Sequence, residues 1–200
     1  MKVLALESST DMASVALLCE GALIGEKEFP SKRSLCADLF PVLWELLEGV
    51  SFVERIVVGL GPGSYAGVRI AVAAAMGLQS VWGCELVGIP SVAALATCAK
   101  SYRVLGDARR GAWHYSRVVS GVCVEGPLLV ESDEALGRKL SEEDSPLYAC
   151  EDLRGIWPAT VCLPSARELA GLAFAGRGIL QREKLEPLYL KEPHITGVTL

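Results

Sequence analysis

A glycine-rich stretch contains the residues of this chain best suited to chemistry. Residues 59–69 read Gly-Leu-Gly-Pro-Gly-Ser-Tyr-Ala-Gly-Val-Arg, between a strand-like run at 55–58 and an apolar, alanine-rich segment at 68–81. A strand, a glycine turn and a helix in succession bring backbone N–H groups and a helix N-terminus to one point, which favours an anion or a closely packed backbone. The candidate anion-binding residues of this stretch are Gly61, Gly63, Ser64 and Arg69.

A polar turn near the start of the chain could contribute to the same site. Ser8, Ser9 and Thr10 follow a strand predicted at 3–7, and their hydroxyl groups could bind a phosphate. Serine and threonine are also ordinary turn residues, so a solvated turn stays open as the alternative. The glycine stretch is neither a Walker A loop, since no lysine begins its helix, nor a dinucleotide fingerprint. Close packing of strand against helix therefore stays open beside an anion site.

The sequence offers no catalytic set and no metal ligands in a recognisable spacing. Its two histidines, His114 and His194, lie far apart and have no second ligand three or four residues away. Residues 107–111, Asp-Ala-Arg-Arg-Gly, end a predicted strand. They are interpreted either as a turn with an Asp–Arg pair or as a recognition surface.

Composition limits the class of protein. Of the 200 residues 51% are hydrophobic, enough to bury the core of one large domain or two small ones, and no run suggests a membrane span. Glu7 comes too early for a signal peptide, so we expect a cytoplasmic protein. A net charge of −5 argues against a chain that grips a phosphate backbone by itself. Seven cysteines, without a Cys-x-x-Cys pair, indicate reduced thiols.

Hydrophobic periodicity predicts an α/β protein. The predicted units are a first α/β half at 1–100 with a helix at 165–183 packing back on it, a smaller second half at 101–164, and a tail at 184–200. Predicted strands lie at 3–7, 13–19, 22–29, 53–59, 85–89, 103–107, 113–119, 122–130, 147–150 and 159–162, and helices at 35–47, 64–82, 91–100 and 167–182.

Several segments together resemble the TsaB (YeaZ) family. They are Leu-Ala-Leu-Glu-Ser-Ser-Thr at 4–10, the glycine stretch at 59–69, Gly-Ile-Pro-Ser at 88–91, Asp-Ala-Arg-Arg-Gly at 107–111 and Pro-Leu-Tyr-Leu-Lys at 187–191. The resemblance implies an actin-like, sugar-kinase-like (ASKHA) fold with two related α/β halves, of which the second is shorter here than is usual in the family.

The resemblance also implies a non-catalytic subunit in threonylcarbamoyl transfer to the tRNA adenosine beside the anticodon. Its partners would be a TsaD-type catalytic subunit and a TsaE-type ATPase, with tRNA reached only through the complex and ATP or ADP bound, if at all, at a complex interface. The catalytic sister carries a His-x-x-x-His metal motif, whereas residues 34–41 here contain no histidine. Leu35 stands where relatives commonly keep one.

In this family two helices pack on the sister subunit as a four-helix bundle, and the sequence offers apolar stripes on both corresponding helices. The predicted interface residues are Leu35, Leu39, Leu43, Leu46, Val68, Val72 and Met76. Two alternatives stay open: a small ATP-dependent kinase or peptidase-like enzyme of the same superfamily, and a homodimer formed through the same helices.

Overall fold

Strands near the amino terminus are almost wholly apolar and form the centre of a sheet covered on both faces. The computed structural model describes residues 1–31, 35–153 and 155–190. Its first five strands form a sheet in the order β5-β4-β1-β2-β3, in which β1 runs antiparallel to β2 and parallel to β4. These strands are β1 (Lys2–Glu7), β2 (Met12–Cys19), β3 (Ala22–Pro30), β4 (Arg55–Gly59) and β5 (Glu85–Ile89).

Two helices cover one face of this sheet. Helix α1 spans Leu35–Leu46 and α2 spans Tyr65–Trp82, and both bury apolar side chains against the strand residues that point to their side. Ser64 caps α2 by accepting the N–H of Gly67, and Gly83 ends it in a left-handed conformation that glycine adopts readily.

A second sheet follows from residue 101 onward and repeats the plan of the first. Its strands are β6 (Ser101–Asp107), β7 (Trp113–Val119), β8 (Val122–Val130), β9 (Leu147–Ala149) and β10 (Thr160–Val161), and its helix α3 spans Asp133–Ser141. The order β10-β9-β6-β7-β8 matches that of the first five strands, and each pair has the same relative direction as its counterpart. The predicted α/β fold with two related halves is confirmed.

The reduction of the second half is local. Where α2 connects β4 to β5, the described residues between β9 and β10 form no helix, and β9 and β10 are only 3 and 2 residues long. The two sheets share an apolar cluster with the last helix, α4 (Ala166–Phe174), which contacts β1, β2 and β4. A short strand, β11 (Gln181–Arg182), then joins the first sheet beside β5.

Three helices differ from the prediction made from the sequence. The helix predicted at 91–100 is only a 3-10 turn, Ser91–Ala94, because Leu95 is extended and pairs with Pro164. The last helix ends at Phe174, not near 182, since Gly176 and Gly178 follow with positive φ angles. Helix α3 was not predicted. Within the described ranges, no helix is long and apolar enough to cross a membrane.

Candidate functional site

Strands from both halves end at one cleft. The carboxyl ends of β1, β4 and β6 face it, as does the segment after β9, and its volume is about 620 Å³. Ligand sites in α/β proteins commonly lie at the carboxyl ends of parallel strands. The residues that line the cleft include Ser9, Thr10, Gly63, Asp107, His114 and Cys150.

The glycine stretch packs directly against the first polar turn. The N–H of Ser64 donates to the carbonyl oxygen of Ser9 at 2.6 Å. A Cβ at Gly63 would collide with that same oxygen, and a Cβ at Gly67 would collide with the carbonyl oxygen of Ser8. Carbonyl oxygens of the polar turn therefore lie against the amino-terminal end of α2. These glycines are required by the close approach of two backbones.

Three of the four hydroxyl groups predicted to bind an anion, those of Ser8, Thr10 and Ser64, have hydrogen-bond partners within the chain. Ser8 Oγ donates to the carbonyl of Gly67 at 2.9 Å, and Thr10 Oγ1 donates to the carbonyl of Met12 at 2.8 Å. Ser64 Oγ accepts the N–H of Gly67 at 3.2 Å. Ser9 is buried at the edge of the cleft, and its Oγ has no hydrogen-bond partner among the described residues.

The remaining members of the predicted set, Gly61 and Arg69, also have partners within the chain. The N–H of Gly61 donates to Ser91 Oγ at 3.0 Å, and Arg69 Nε donates to the hydroxyl of Tyr189 at 2.7 Å. The geometry of the stretch thus favours the packing interpretation over a phosphate cradle.

A buried carboxyl group at the end of β1 is a feature of the candidate site that the sequence analysis did not identify. Glu7 is 1% exposed, and its Oε1 accepts the N–H of Ser9 at 2.7 Å. Burial raises the pKa of this carboxyl group, and the hydrogen bond from the Ser9 N–H acts in the opposite direction. A Cβ at Gly59 would collide with Glu7 Oε2. An acid that ends an otherwise apolar strand was the available signal.

The equivalent position in the second half carries an exposed ion pair. Asp107 ends β6 as Glu7 ends β1, and its Oδ1 accepts the N–H of Arg109 at 2.6 Å. Asp107 Oδ2 lies 3.1 Å from Arg109 Nη1. The segment therefore forms the turn with an Asp–Arg pair that the sequence suggested as one of two interpretations. Arg109 and Arg110 both have positive φ angles of 64° and 60°.

His114 lies beside this turn as a neutral side chain. Burial lowers the pKa of its imidazole to about 4, and the nearby Asp107 acts in the opposite direction. In the described ranges no three His, Cys, Asp or Glu side chains are grouped so as to hold a metal ion. His194 lies outside those ranges.

Most of the residues predicted to contact a partner are in the core instead. Five of the seven are buried, Leu46 is half-buried, and only Met76 is exposed. An apolar stripe at helical spacing is the face that packs against the sheet, so the prediction selected the inward side of each helix. The five buried residues are Leu35, Leu39, Leu43, Val68 and Val72.

The opposite faces of the same helices are apolar as well. Phe40 and Trp44 on α1 are 58% and 83% exposed, and Met76 and Val81 on α2 are 45% and 79% exposed. Arg69 is the one charged residue among the 18 of α2. Large exposed apolar patches are typical of protein-interaction surfaces. We call the outward sides of α1 and α2, marked by these four apolar side chains, the helical face.

Known proteins resemble this chain along most of its length. The family model TsaD, tRNA N6-adenosine threonylcarbamoyltransferase, matches residues 41–121. The tRNA threonylcarbamoyladenosine biosynthesis protein TsaB of Escherichia coli is 26% identical over 96% of this chain and 95% of its own length. The protein of that name from Haemophilus influenzae is 33% identical over 60% of this chain and 54% of its own length.

A solved structure agrees with the sequence matches. YeaZ from Pseudomonas aeruginosa is 27% identical and superposes with a TM-score of 0.73, covering 94% of this chain and 99% of that one. Together with the repeated strand order, this likeness confirms the predicted actin-like, sugar-kinase-like fold.

Proposed function

Because the chain belongs to the TsaB (YeaZ) family, we propose that it is a non-catalytic subunit of a tRNA-modifying complex. It binds a TsaD-type catalytic subunit and supports its transfer of a threonylcarbamoyl group to the adenosine beside the anticodon. The observation that carries this proposal is the helical face, on which Trp44 is 83% exposed.

The second half provides an internal comparison for that face. Helix α3 connects β8 to β9 as α1 connects β3 to β4, so the two helices occupy equivalent positions. The outward side of α3 carries Asp133, Glu134 and Arg138, as a solvated helix should. At the equivalent position α1 exposes Phe40 and Trp44. The difference supports a partner on α1 and α2.

Small residues of α2 suit close contact with another helix. Ala73 and Gly77 are exposed beside Met76, and short side chains allow two helix backbones to approach. The interface proposed here therefore consists of Phe40, Trp44, Ala73, Met76 and Gly77, in place of the buried residues that the periodicity selected. A specific interface of ordinary size would bury about 800 Å² on each partner.

Other parts of the proposal rest on the family relationship. A TsaE-type ATPase is the further expected partner, and tRNA is reached through the complex, in keeping with a net charge of −5. A nucleotide, ATP or ADP, at an interface between subunits stays a prediction, as does a cytoplasmic location. The alternative of a small kinase has less support, because the hydroxyl groups of Ser8 and Thr10 are bonded within the chain.

Co-purification with a TsaD-type subunit tests the interface. Trp44→Glu and Met76→Glu each place a charge on the helical face, and we expect each to weaken binding at least tenfold because a buried, unpaired charge is costly. Ile156→Glu is the matched control, since Ile156 is a 60% exposed apolar residue of the second half. Equal binding by all three variants and the wild type would show that the partner binds elsewhere.

Reconstituted tRNA modification tests the supporting role separately. The catalytic subunit is assayed alone, with the wild-type chain, and with Trp44→Glu. We expect the wild-type chain to raise the rate and the variant to raise it far less. A rate that the wild-type chain leaves unchanged, despite measurable binding, would contradict the supporting role and leave the interface intact.

A further inference from the structure

The segment that follows β11 forms one wall of the cleft. Residues 185–190 run from the core of the first half to the mouth of the cleft, and we call them the strap. Four strap residues line the cleft: Pro187, Leu188, Tyr189 and Leu190. The glycine stretch lies beneath them, since the carbonyl oxygen of Leu188 is near Gly61.

The beginning of the strap is anchored firmly. Leu185 is 5% exposed and belongs to the apolar core beneath α1 and α2. Leu188 packs against the same core, and its N–H donates to the carbonyl oxygen of Leu60 at 2.8 Å. Releasing this end would expose buried apolar surface and break a backbone hydrogen bond, so it stays in place during small local openings.

Its far end is held by an exposed cluster on the first turns of α2, which we call the latch. Arg69 Nε donates to the Tyr189 hydroxyl at 2.7 Å, and the Arg69 guanidinium lies 3.9 Å from the centre of the Tyr65 ring. The rings of Tyr65 and Tyr189 are 5.0 Å apart. All three side chains are at the surface, where cation–π contacts and charge-assisted hydrogen bonds are weakest.

We propose that the strap is a gate to the cleft, with the latch of Arg69, Tyr65 and Tyr189 as its releasable end. The firm anchor ends at Leu188, and the weak, solvent-exposed latch holds the next residue, Tyr189, so local opening of the residues after the anchor is much cheaper than unfolding. Opening swings Tyr189 and Leu190 away from the mouth and exposes the cleft floor to small molecules. This inference does not rest on the proposed function, because it concerns only contacts within the chain.

Thiol alkylation measures the gate directly. Cys150 and Cys162 are free thiols that pack against the same apolar cluster, but only Cys150 of the two also lines the cleft. The full-length chain is treated with N-ethylmaleimide at one pH, and the modification rate of each cysteine is followed by peptide mass spectrometry. Cys162 then reports any general loosening of the fold.

Substitutions in the latch should raise the alkylation rate of Cys150 and leave that of Cys162 unchanged. We expect Tyr189→Ala and Arg69→Ala to increase it about tenfold, and Tyr189→Phe, which keeps the ring and loses the hydroxyl, to increase it less. Leu180→Ala is the matched control, because Leu180 is an exposed apolar residue that precedes the strap. The alkylation rate of Cys150 in this control variant should equal that in the wild type.

Two results would overturn the proposal. If neither latch variant changes the Cys150 rate, the strap does not control access to the cleft. If Cys150 and Cys162 accelerate together, the latch stabilises the whole fold and no separate gate exists. Hydrogen exchange at the Leu188 amide, which is bonded to the Leu60 carbonyl oxygen, gives a second reading, since a gate anchored at Leu188 requires the latch variants to leave the protection of this amide unchanged.

Discussion

The two halves of the chain share a strand order but differ in the helices that cover them. In the first half, α1 and α2 form a layer whose inner side is core and whose outer side is also apolar. In the second half, α3 is amphipathic with a charged outer side, and the described residues between β9 and β10 form no helix. Common topology with different surfaces supports the proposal that the first half carries the contact with a partner protein.

The ends of the equivalent strands β1 and β6 differ in the same way. Glu7 is buried behind the polar turn and the glycine stretch, whereas Asp107 is partly exposed and paired with Arg109. On the first-half side of the cleft the polar turn packs against the start of α2, and among the described residues Ser9 Oγ is a buried hydroxyl without a hydrogen-bond partner. The two halves therefore share a topology, while the polar turn of the first half packs against the glycine stretch.

The largest expected difference in the free energy of unfolding is between substitutions at two neighbouring residues of α1. Leu39 is buried in the core and Phe40 is 58% exposed. Leu39→Ala should lower the free energy of unfolding by about 2–5 kcal/mol through cavity formation, and Phe40→Ala by less than about 0.5 kcal/mol. Urea unfolding measures both, and partner binding should show the opposite order once the less stable variant is assayed while folded. Similar losses of stability would contradict the two-sided description of α1.

Much of the fold could be predicted from the sequence, because the strands of the first half alternate clearly with turn residues. The helix start at Ser64 and the stop near Gly83 also follow from ordinary capping chemistry. The outward side of α1 could not be predicted by periodicity, since Leu39 and Phe40 are both apolar and a hydrophobic pattern does not distinguish core from interface. The helix predicted at 91–100 is cut short to a 3-10 turn by the pairing of Leu95 with Pro164, a long-range contact that a local sequence pattern does not reveal.

The next effect concerns pH and a residue present in only one half. His114 opposite Gly106 in the second sheet corresponds to Val15 opposite Leu6 in the first. Burial lowers the pKa of His114 from its ordinary value of 6.5 to about 4. Between pH 6.5 and pH 4, therefore, this imidazole binds a proton in the unfolded chain but not in the folded chain. Stability should therefore fall as the pH falls through this window, by about 3 kcal/mol in all.

A variant that lacks His114 isolates that contribution. Burial raises the pKa of Glu7, so its effect on stability has the opposite sign over the same acid range. We therefore compare urea unfolding of the wild type and His114→Gln at pH 7 and pH 4.5. The difference between the two proteins should shift in favour of the variant at the lower pH. A difference that does not depend on pH would mean that the His114 imidazole titrates normally in the folded chain.

A smaller effect is expected where the polar turn meets α2. Gly67→Ala places a methyl group against the carbonyl oxygen of Ser8, and we expect a loss of about 1–3 kcal/mol because two backbones must separate. Gly111→Ala in the equivalent turn of the second half meets no atom within 4 Å, so its cost should be limited to the left-handed backbone at φ +69°. That cost is about 1 kcal/mol. If urea unfolding shows equal losses of stability for the two variants, the polar turn of the first half is not packed more tightly than the turn at 107–111.

The smallest effect separates the stability of α2 from its surface role. Gly77 lies on the helical face with nothing within 4 Å of an added Cβ. Gly77→Ala should therefore stabilise the isolated chain by about 0.5–1 kcal/mol through helix propensity. If a partner helix approaches closely at this point, the same methyl group should weaken binding of the TsaD-type subunit. A variant that gains stability and binds as tightly as the wild type would move the contact away from Gly77, toward Phe40 and Trp44 on α1.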